Sequence, residues 1–525
     1  MSIFIVASSL WYIRAYRTSK SLYNYTYTMG SIEVLQSLKI GQDSIKTVAV
    51  IGAGISGVVS AAHLIKEGFE VTIFERTGRI GGVWYYDERV DQDSPFPNTI
   101  PPAQDWTDLD AKGLTSEEVL ILHGPPGPCY AGLKNNVPTS LMKSSLLAWP
   151  EGTEEFIGQD RMVQYLEDIA RLHHVTENIQ FHTRVEDVRK PAGSTRWSVK
   201  TSTLRVKEST FSVSRNRADF DAVVVASGHY HIPFVPDIPG LSAWKDRFPE
   251  RVIHSKRYRT PEPFRGKTVL LIGAGASSLD IAREVDALGG TVYQSRRESK
   301  YDLLGNRLPE AVKRVAMVAE FIANDVDALS GVAINGNNQG AIPGRIVLED
   351  GTALEKIDYV VIATGYITSY PFLGELEQPS VAFEDASDRT LITSDGYTTH
   401  NLHKDIFYIS DPTLAFIGVS HLVSTFSLFD FQAKVMAKVF AGHVHLPPEG
   451  SMKAEHRERK NRFQPGDRFH ALQLREPIYI AEVLEWVNSD LRKARLAPMK
   501  GMDAKWTLAY EAFKAGRAAE SKLRQ

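Results

Sequence analysis

Cysteine is nearly missing: Cys129 stands alone among 525 residues. A single thiol excludes an intramolecular disulfide, a Cys-x-x-Cys redox pair and a thiolate metal cluster, and it fits a reducing compartment. Flavin disulfide reductases are thereby disfavoured. The surrounding run HGPPGPCYAG has no thiolate-stabilising pattern, so Cys129 is expected to be inert. An excess of charge is lacking too: 60 Lys and Arg against 63 Asp and Glu leave a net charge of -3. No broad basic field gathers nucleic acid or anionic membrane, and polyanionic partners are not expected. Long apolar runs are also missing. The N-terminal MSIFIVASSLWYIRAYR holds about a dozen apolar residues, against the roughly 20 a membrane span needs. Its charge follows the apolar stretch and no cleavage site closes it, unlike a signal peptide. Residues 1–44 are read as a disordered extension, with Met29 favoured as the true start. The expected location is cytoplasmic, with weak membrane-surface anchoring by Trp11, Tyr12 and Arg14 as the alternative. HExxH, paired CxxC and a GxSxG with triad partners are absent, so metal and acyl-transfer chemistry have no support.

What is present is an ordinary globular composition, 43% hydrophobic and 23% charged, long enough for two or three domains with sizeable cores. KTVAVIGAGISGVVSAAHLIKEGFEVTIFER reads as an apolar strand, a glycine turn, an alanine-rich helix and a second strand ending at Glu75. KTVLLIGAGASSLDIAREVDALGGTVYQSRR repeats that order. The fold class expected is α/β with two Rossmann-like dinucleotide-binding domains.

In the first unit, Gly52 permits the tight turn, Gly54 lets a pyrophosphate approach the backbone and Gly57 allows close helix packing. Glu75 is placed to accept hydrogen bonds from a ribose diol, which suits FAD or NAD and repels a 2'-phosphate. Arg76, directly after it, is assigned to the same site. In the second unit, Gly273, Gly275, Ser277 and Ser278 form the turn, with Ser278 where a third glycine often stands. Ser295, Arg296 and Arg297 follow the second strand, where the first unit has its acid. A guanidinium fork matches a phosphate dianion, so this site is expected to select NADPH, with Ser295 and Arg296 holding it.

Two buried-strand patterns, DAVVVASGHY at Asp221–Tyr230 and DYVVIATGY at Asp358–Tyr366, flank the second unit and read as domain crossings. The second domain, 231–364, is then inserted into a first domain made of 45–230 and 365–525. The Pro-, Asp- and Gly-rich stretch before Asn135 reads as a long surface loop, and the charged segment from residue 452 begins a solvated helical tail.

These residues resemble the class B flavoprotein monooxygenases and, within them, the flavin-containing monooxygenases of fungi and yeast, over most of residues 45 to 445. GGVW at Gly81–Trp84 resembles the family's GGxW turn beside the flavin, which implies cofactor roles for Gly82, Val83 and Trp84. FPERVIHSKRYR resembles the fingerprint FxGxxxHxxx(Y/F), with Phe248, His254 and Tyr258 in register and Glu250 in place of the glycine. Baeyer–Villiger enzymes carry tryptophan where Tyr258 stands, so heteroatom oxygenation is implied. ATGY at Ala363–Tyr366 resembles a motif shared with N-hydroxylating monooxygenases and adds Thr364, Gly365 and Tyr366 to the cofactor residues. YAGLKNNVPTSLM resembles the segment that carries the active-site asparagine, which maps to Asn136. After it, LLAWPEG replaces the family's aspartate-phenylalanine-proline run, so the pocket wall differs. Phe416–Gly418 resemble a strand end near the isoalloxazine, with Gln432 and Ala433 beginning a helix; His421 between them is read as structural.

The resemblance implies FAD in the first domain, NADPH in the second and dioxygen as co-substrate, with one oxygen atom passed through a C4a-hydroperoxyflavin to a soft nitrogen or sulfur. It implies a small nucleophilic metabolite, as in fungal secondary metabolism. Asn136 is the expected catalytic side chain, since an amide donates a hydrogen bond without an acidic proton. Baeyer–Villiger or carbon oxygenation, an NADPH oxidase releasing peroxide, and a non-enzymatic nucleotide-binding protein are the alternatives. Homo-oligomerisation is left open.

Overall fold

TVAVI, rich in β-branched residues, forms strand β1 (Thr47–Ile51), four of whose five residues are buried, as parallel strands covered on both faces require. The computed structural model that shows this describes residues 45–101, 113–207, 210–297, 307–323, 340–463 and 468–522. The N-terminal extension expected over 1–44 lies outside the described residues. Helix α1 (Ile55–Lys66) follows the first glycine turn, with ten of its twelve residues buried, and β2 (Glu70–Phe74) runs parallel to β1. Part of the stretch expected to be loop is helical: α2 (Ser116–His123) starts at a capping box, Thr115 and Glu118 each bonding the other's backbone. Helix α3 (Gln159–Leu172) precedes β3 (Ile179–Gln180), which extends the sheet beyond β2. Strands β4 (Thr183–Arg189), β5 (Trp197–Lys207) and β6 (Thr210–Phe220) form an antiparallel side sheet, and β7 (Ala222–Val225) returns beside β1.

The chain then leaves this sheet through β8 (Ile232–Pro233) and helix α4 (Leu241–Arg247). A second parallel sheet is built from β9 (Val252–His254), β10 (Thr268–Ile272), β11 (Thr291–Ser295), β12 (Lys313–Val315) and a later strand, with helix α5 (Ala276–Ala287) after β10. Strands β13 (Val318–Ala323), β14 (Gly344–Leu348) and β15 (Ala353–Glu355) form an antiparallel flap, and β16 (Tyr359–Ile362) is the later strand, beside β10. The way back is β17 (Tyr366–Ile367), antiparallel to β8. Entry and exit of the insert thus pair with each other, next to the expected boundaries at 230/231 and 364/365.

Strands β18 (Leu402–His403), β19 (Phe407–Tyr408) and β20 (Leu414–Phe416) complete the first sheet in the order β18-β19-β20-β7-β1-β2-β3. The molecule therefore has two Rossmann-like domains, the second inserted in the first. Helix α6 (Thr425–Phe440) has thirteen of its sixteen residues buried and packs on α1; it begins at Thr425, seven residues before the expected Gln432. The C-terminal segment is not a solvated tail. Helices α7 (Glu449–Lys460), α8 (Glu476–Lys493) and α9 (Ala504–Lys522) bury Met452, Val483, Val487, Leu491, Trp506 and Tyr510. Trp506 reaches back to donate its indole N–H to Leu141 O at 3.2 Å. Their charged faces hide apolar stripes, each worth a few kcal/mol of burial at roughly 25 cal/mol per Å². Among the described residues no helix is long and apolar enough to cross a membrane.

Candidate active site

The first glycine turn leaves almost no space. A Cβ on Gly57 would lie 1.8 Å from Gly52 O, so α1 and the turn touch backbone to backbone. Gly52, at φ +104°, and Gly82, at φ +57°, occupy the left-handed side that glycine alone takes freely. A Cβ on Gly82 would stand 2.9 Å from Gly54 Cα, bringing the GGVW turn onto the glycine turn. Glu75 is buried at the end of β2 and accepts from Ala53 N–H and Thr77 N–H, each at 2.8 Å, which fixes its carboxylate beside the turn. Arg76 turns toward the crossing and bonds His231 Nδ1 at 2.8 Å. Together with Asp91, Asn98 and Lys256 these two residues line a cavity of about 260 Å³. Val83 lies inside the single turn Gly82–Trp84, and the Trp84 ring meets Phe426 of α6 edge-on at 6.3 Å.

The second turn is open where the first is closed. Gly273 packs against Ala363 O, but a Cβ on Gly275 would meet nothing within 4 Å. Gly275 is exposed and Ser277 half-buried. Ser278 is fully buried, and its hydroxyl accepts from Gln294 Nε2 at 2.8 Å, pinning α5 to β11. That hydroxyl thus ties the helix to the strand beside it. Ser295 is buried too, and its hydroxyl donates to Ala316 O at 3.0 Å and accepts from Val318 N–H at 3.2 Å. Arg296 and Arg297 follow it at the surface, half-buried and exposed. Thr364 donates its hydroxyl to Phe234 O at 2.5 Å and Gly365 O accepts from Phe234 N–H at 2.9 Å, so this motif builds the crossing. The Tyr366 ring meets Tyr230 and His254 edge-on, each at 5.4 Å.

Between the two turns lies the asparagine pair. Tyr130 belongs to the apolar core around α5, and Leu133 packs on it, whereas Leu141 and Met142 belong to the core around α1, with Val137 packed against it. The chain thus passes from one domain's core to the other between Leu133 and Val137. Asn135 anchors the passage: its buried amide donates to Val137 O and Glu155 O, both at 2.7 Å, and accepts from Ile157 N–H at 2.6 Å. Asn136, next to it, is exposed. Asn135 escaped the sequence reading, although a doubled asparagine in a turn invites one member to cap it.

His229 also escaped it. SGHY leaves the carboxyl end of β7, and VSHL leaves that of β20, where open α/β sheets bind ligands. The His229 and His421 rings meet there edge-on at 4.3 Å, with His229 Nδ1 3.2 Å from Gly418 O. Burial pushes His229 down to about 4 and His421 well below its usual value, so both imidazoles are neutral at pH 7. Cys129 is buried, and burial pushes its thiol up to about 12, in keeping with an inert cysteine. Glu250 keeps the fingerprint turn without a positive φ, and Tyr258 is buried with its hydroxyl on Glu284.

A flavin-binding monooxygenase-like family model matches residues 127–307 and 311–499, and an NAD(P)-binding Rossmann-like model matches 50–101. The chain belongs to the flavin-containing monooxygenases. It is 39% identical to the flavin-containing monooxygenase ustF2 of Aspergillus flavus over 89% of this chain and 97% of that one. The flavin-containing monooxygenase iboF of Amanita muscaria is 30% identical over 77% of this chain and 80% of its own. Among solved structures, S-allyl-L-cysteine S-oxygenase from Allium sativum aligns with TM-score 0.66 and 25% identity, covering 91% of this chain and 94% of that one. This flavin-containing monooxygenase is accordingly an enzyme that uses FAD, NADPH and dioxygen.

The residues present suit both cofactors. At the first turn the missing side chains of Gly52, Gly54 and Gly82 leave backbone N–H groups bare at the start of α1, as a pyrophosphate needs, and Glu75 is already oriented beside them. At the second turn the open face of Gly275 leads to the N-terminus of α5.

Proposed function

We propose that this flavin-containing monooxygenase oxygenates a soft nitrogen or sulfur atom of a small molecule, with Asn136 as the catalytic side chain at the point of transfer. In this reading residues 45–230 and 365–525 bind FAD through Gly52, Gly54, Glu75, Arg76, Gly82, Val83 and Trp84. Residues 231–364 bind NADPH through Gly273, Gly275, Ser277 and Arg296. Thr364, Gly365 and Tyr366 hold the two parts in register. The observation that carries the reading is the exposed Asn136 amide at the passage between the two cores, kept in place by the buried Asn135.

FAD held at the first turn would supply the redox chemistry by which, with NADPH as reductant, one atom of dioxygen is transferred. The protein's part is to place and to protect. The Asn136 amide donates a hydrogen bond at the meeting point of the two nucleotides without releasing a proton there. The neutral His229 and His421 line the sheet's carboxyl end without adding charge beside an uncharged nucleophile. No protein nucleophile is needed, so a soft amine or thioether requires only access. The match to an S-oxygenase at 25% identity supports the heteroatom class.

The test is a balance sheet of NADPH consumed, oxygenated product and hydrogen peroxide for tertiary amines, hydroxylamines, thioethers and ketones. N-oxide, nitrone or sulfoxide formed near one per NADPH is the expected result. Ester or lactone from the ketones would move the enzyme to the Baeyer–Villiger class, and peroxide equal to NADPH throughout would make it an oxidase.

A further inference from the structure

Two tyrosines from different segments end on one face of α5. Tyr130 donates its hydroxyl to Asp280 Oδ2 at 2.5 Å, and Tyr258 donates to a Glu284 carboxylate oxygen. Asp280 and Glu284 are one helical turn apart, and the two rings meet edge-on at 5.6 Å. Both tyrosines are buried. Backbone joins the same cluster: Ala131 N–H donates to Arg259 O at 2.9 Å, and a Cβ on Gly132 would come within 2.0 Å of Glu284 Oε1. Two neighbouring carboxylates on a half-buried helix face are unfavourable unless each is bonded, and the two hydroxyls meet that need. Burial pushes both carboxyls above their usual range.

Helix α5 begins at the second glycine turn, and Asn136 stands six positions after Tyr130. One helix therefore presents its N-terminus to a nucleotide phosphate and grips the Asn136 segment by its flank. Between Tyr130 and Asn136, directly before Asn136, the chain is fixed to the other domain through Asn135. We infer that Tyr130 and Tyr258, through Asp280 and Glu284, are positioning residues that couple the place of Asn136 to nicotinamide nucleotide on α5. This rests on the reading above of the second turn as the NADPH site and of Asn136 as the amide at the point of transfer.

Hydrogen–deuterium exchange on the FAD-loaded enzyme, with and without saturating NADP+, tests it through the peptides covering residues 127–138. NADP+ is expected to slow exchange there by about tenfold, a typical coupling between linked sites. Tyr130→Phe keeps the ring and removes the hydroxyl; it should abolish that slowing, leave the KM for NADPH unchanged and divert NADPH from product to peroxide. Asp280→Asn, whose amide oxygen still accepts from Tyr130, should retain the slowing and the product yield. NADP+ that binds by calorimetry without altering these peptides overturns the inference and leaves the NADPH site standing. So does a Tyr130→Phe enzyme with wild-type protection and coupling. Failure of NADP+ to bind at all removes the reading of the second turn, and the inference with it.

Discussion

At the first glycine turn the backbone of Gly52 occupies the space a Gly57 side chain would need, and ten of the twelve residues of α1 are buried. At the second, Ser278 takes the corresponding place, five of the twelve residues of α5 are buried and Gly275 faces open space. The same local order of strand, turn and helix thus serves two kinds of ligand. A turn locked into the core suits a group that stays through every cycle, whereas an open turn on a half-covered helix suits a nucleotide that arrives and leaves. The difference lies in what covers the helix: α6 lies across α1, and its Asp430 accepts from His63 of α1 at 2.9 Å.

Substituting alanine at matching depth would break this contrast most directly. Gly57→Ala has to push backbone apart and is expected to lose about 3 kcal/mol of stability or more, together with its flavin. Gly275→Ala, at an ordinary φ and with open space, should stay within about 0.5 kcal/mol of wild type and keep its flavin. Thermal unfolding and the ratio of flavin to protein absorbance measure both; equal losses would mean that the two turns are not different in kind.

Cofactor choice sharpens the comparison further. Arg296→Ala should lower kcat/KM for NADPH roughly 10- to 100-fold, as loss of a charge-assisted phosphate bond does, with NADH little changed. A parallel fall for both cofactors would deny Arg296 the 2'-phosphate.

The smallest expected effect is in acid. Burial pushes Asp430 up, yet the His63 bond, the Lys434 ammonium and the Ser145 N–H outweigh it and hold the carboxyl well below the usual range. A depressed carboxyl stabilises above its unfolded pKa and loses that contribution as pH falls through the folded value. Asp430→Asn should therefore be less stable than wild type at pH 7 by an amount on the order of 1 kcal/mol, a gap that begins to close below about pH 4 and goes on closing as pH falls toward the folded value. Asp280, whose carboxyl is raised chiefly by burial, has the opposite sign, so Asp280→Asn should show no such closing. Unfolding temperature against pH distinguishes them.

Both nucleotide folds were legible because their signals are local: strand, glycines and helix stand within about thirty residues, and the acid or arginine after the second strand follows at once. The insertion was legible from two matching strands around the second unit. What stayed hidden depends on partners far along the chain. Ser278 looks like a degraded third glycine until Gln294, sixteen residues on, bonds it. The bonds of the Ser295 hydroxyl to Ala316 O and Val318 N–H, more than twenty residues on, leave no local mark either. The charge of α7 and α8 masked their apolar faces, although Val483, Val487 and Leu491 recur at helical spacing along α8. Helix α2 did leave a local mark, the Thr115–Glu118 capping box, next to a stretch rich in proline and glycine.

Val225 ends β7 and Leu414 begins β20, its neighbour in the sheet. At a ribosome adding about 5 to 20 residues per second, roughly 10 to 40 s pass between them. The inserted domain, contiguous from β9 to β16, is finished first. The nascent first sheet meanwhile exposes one edge of β7 to other chains, and early FAD capture would shorten no part of that wait, because β20 has yet to be made. A chaperone that shields β7 until residue 416 emerges would act on this enzyme where its topology is most exposed to aggregation.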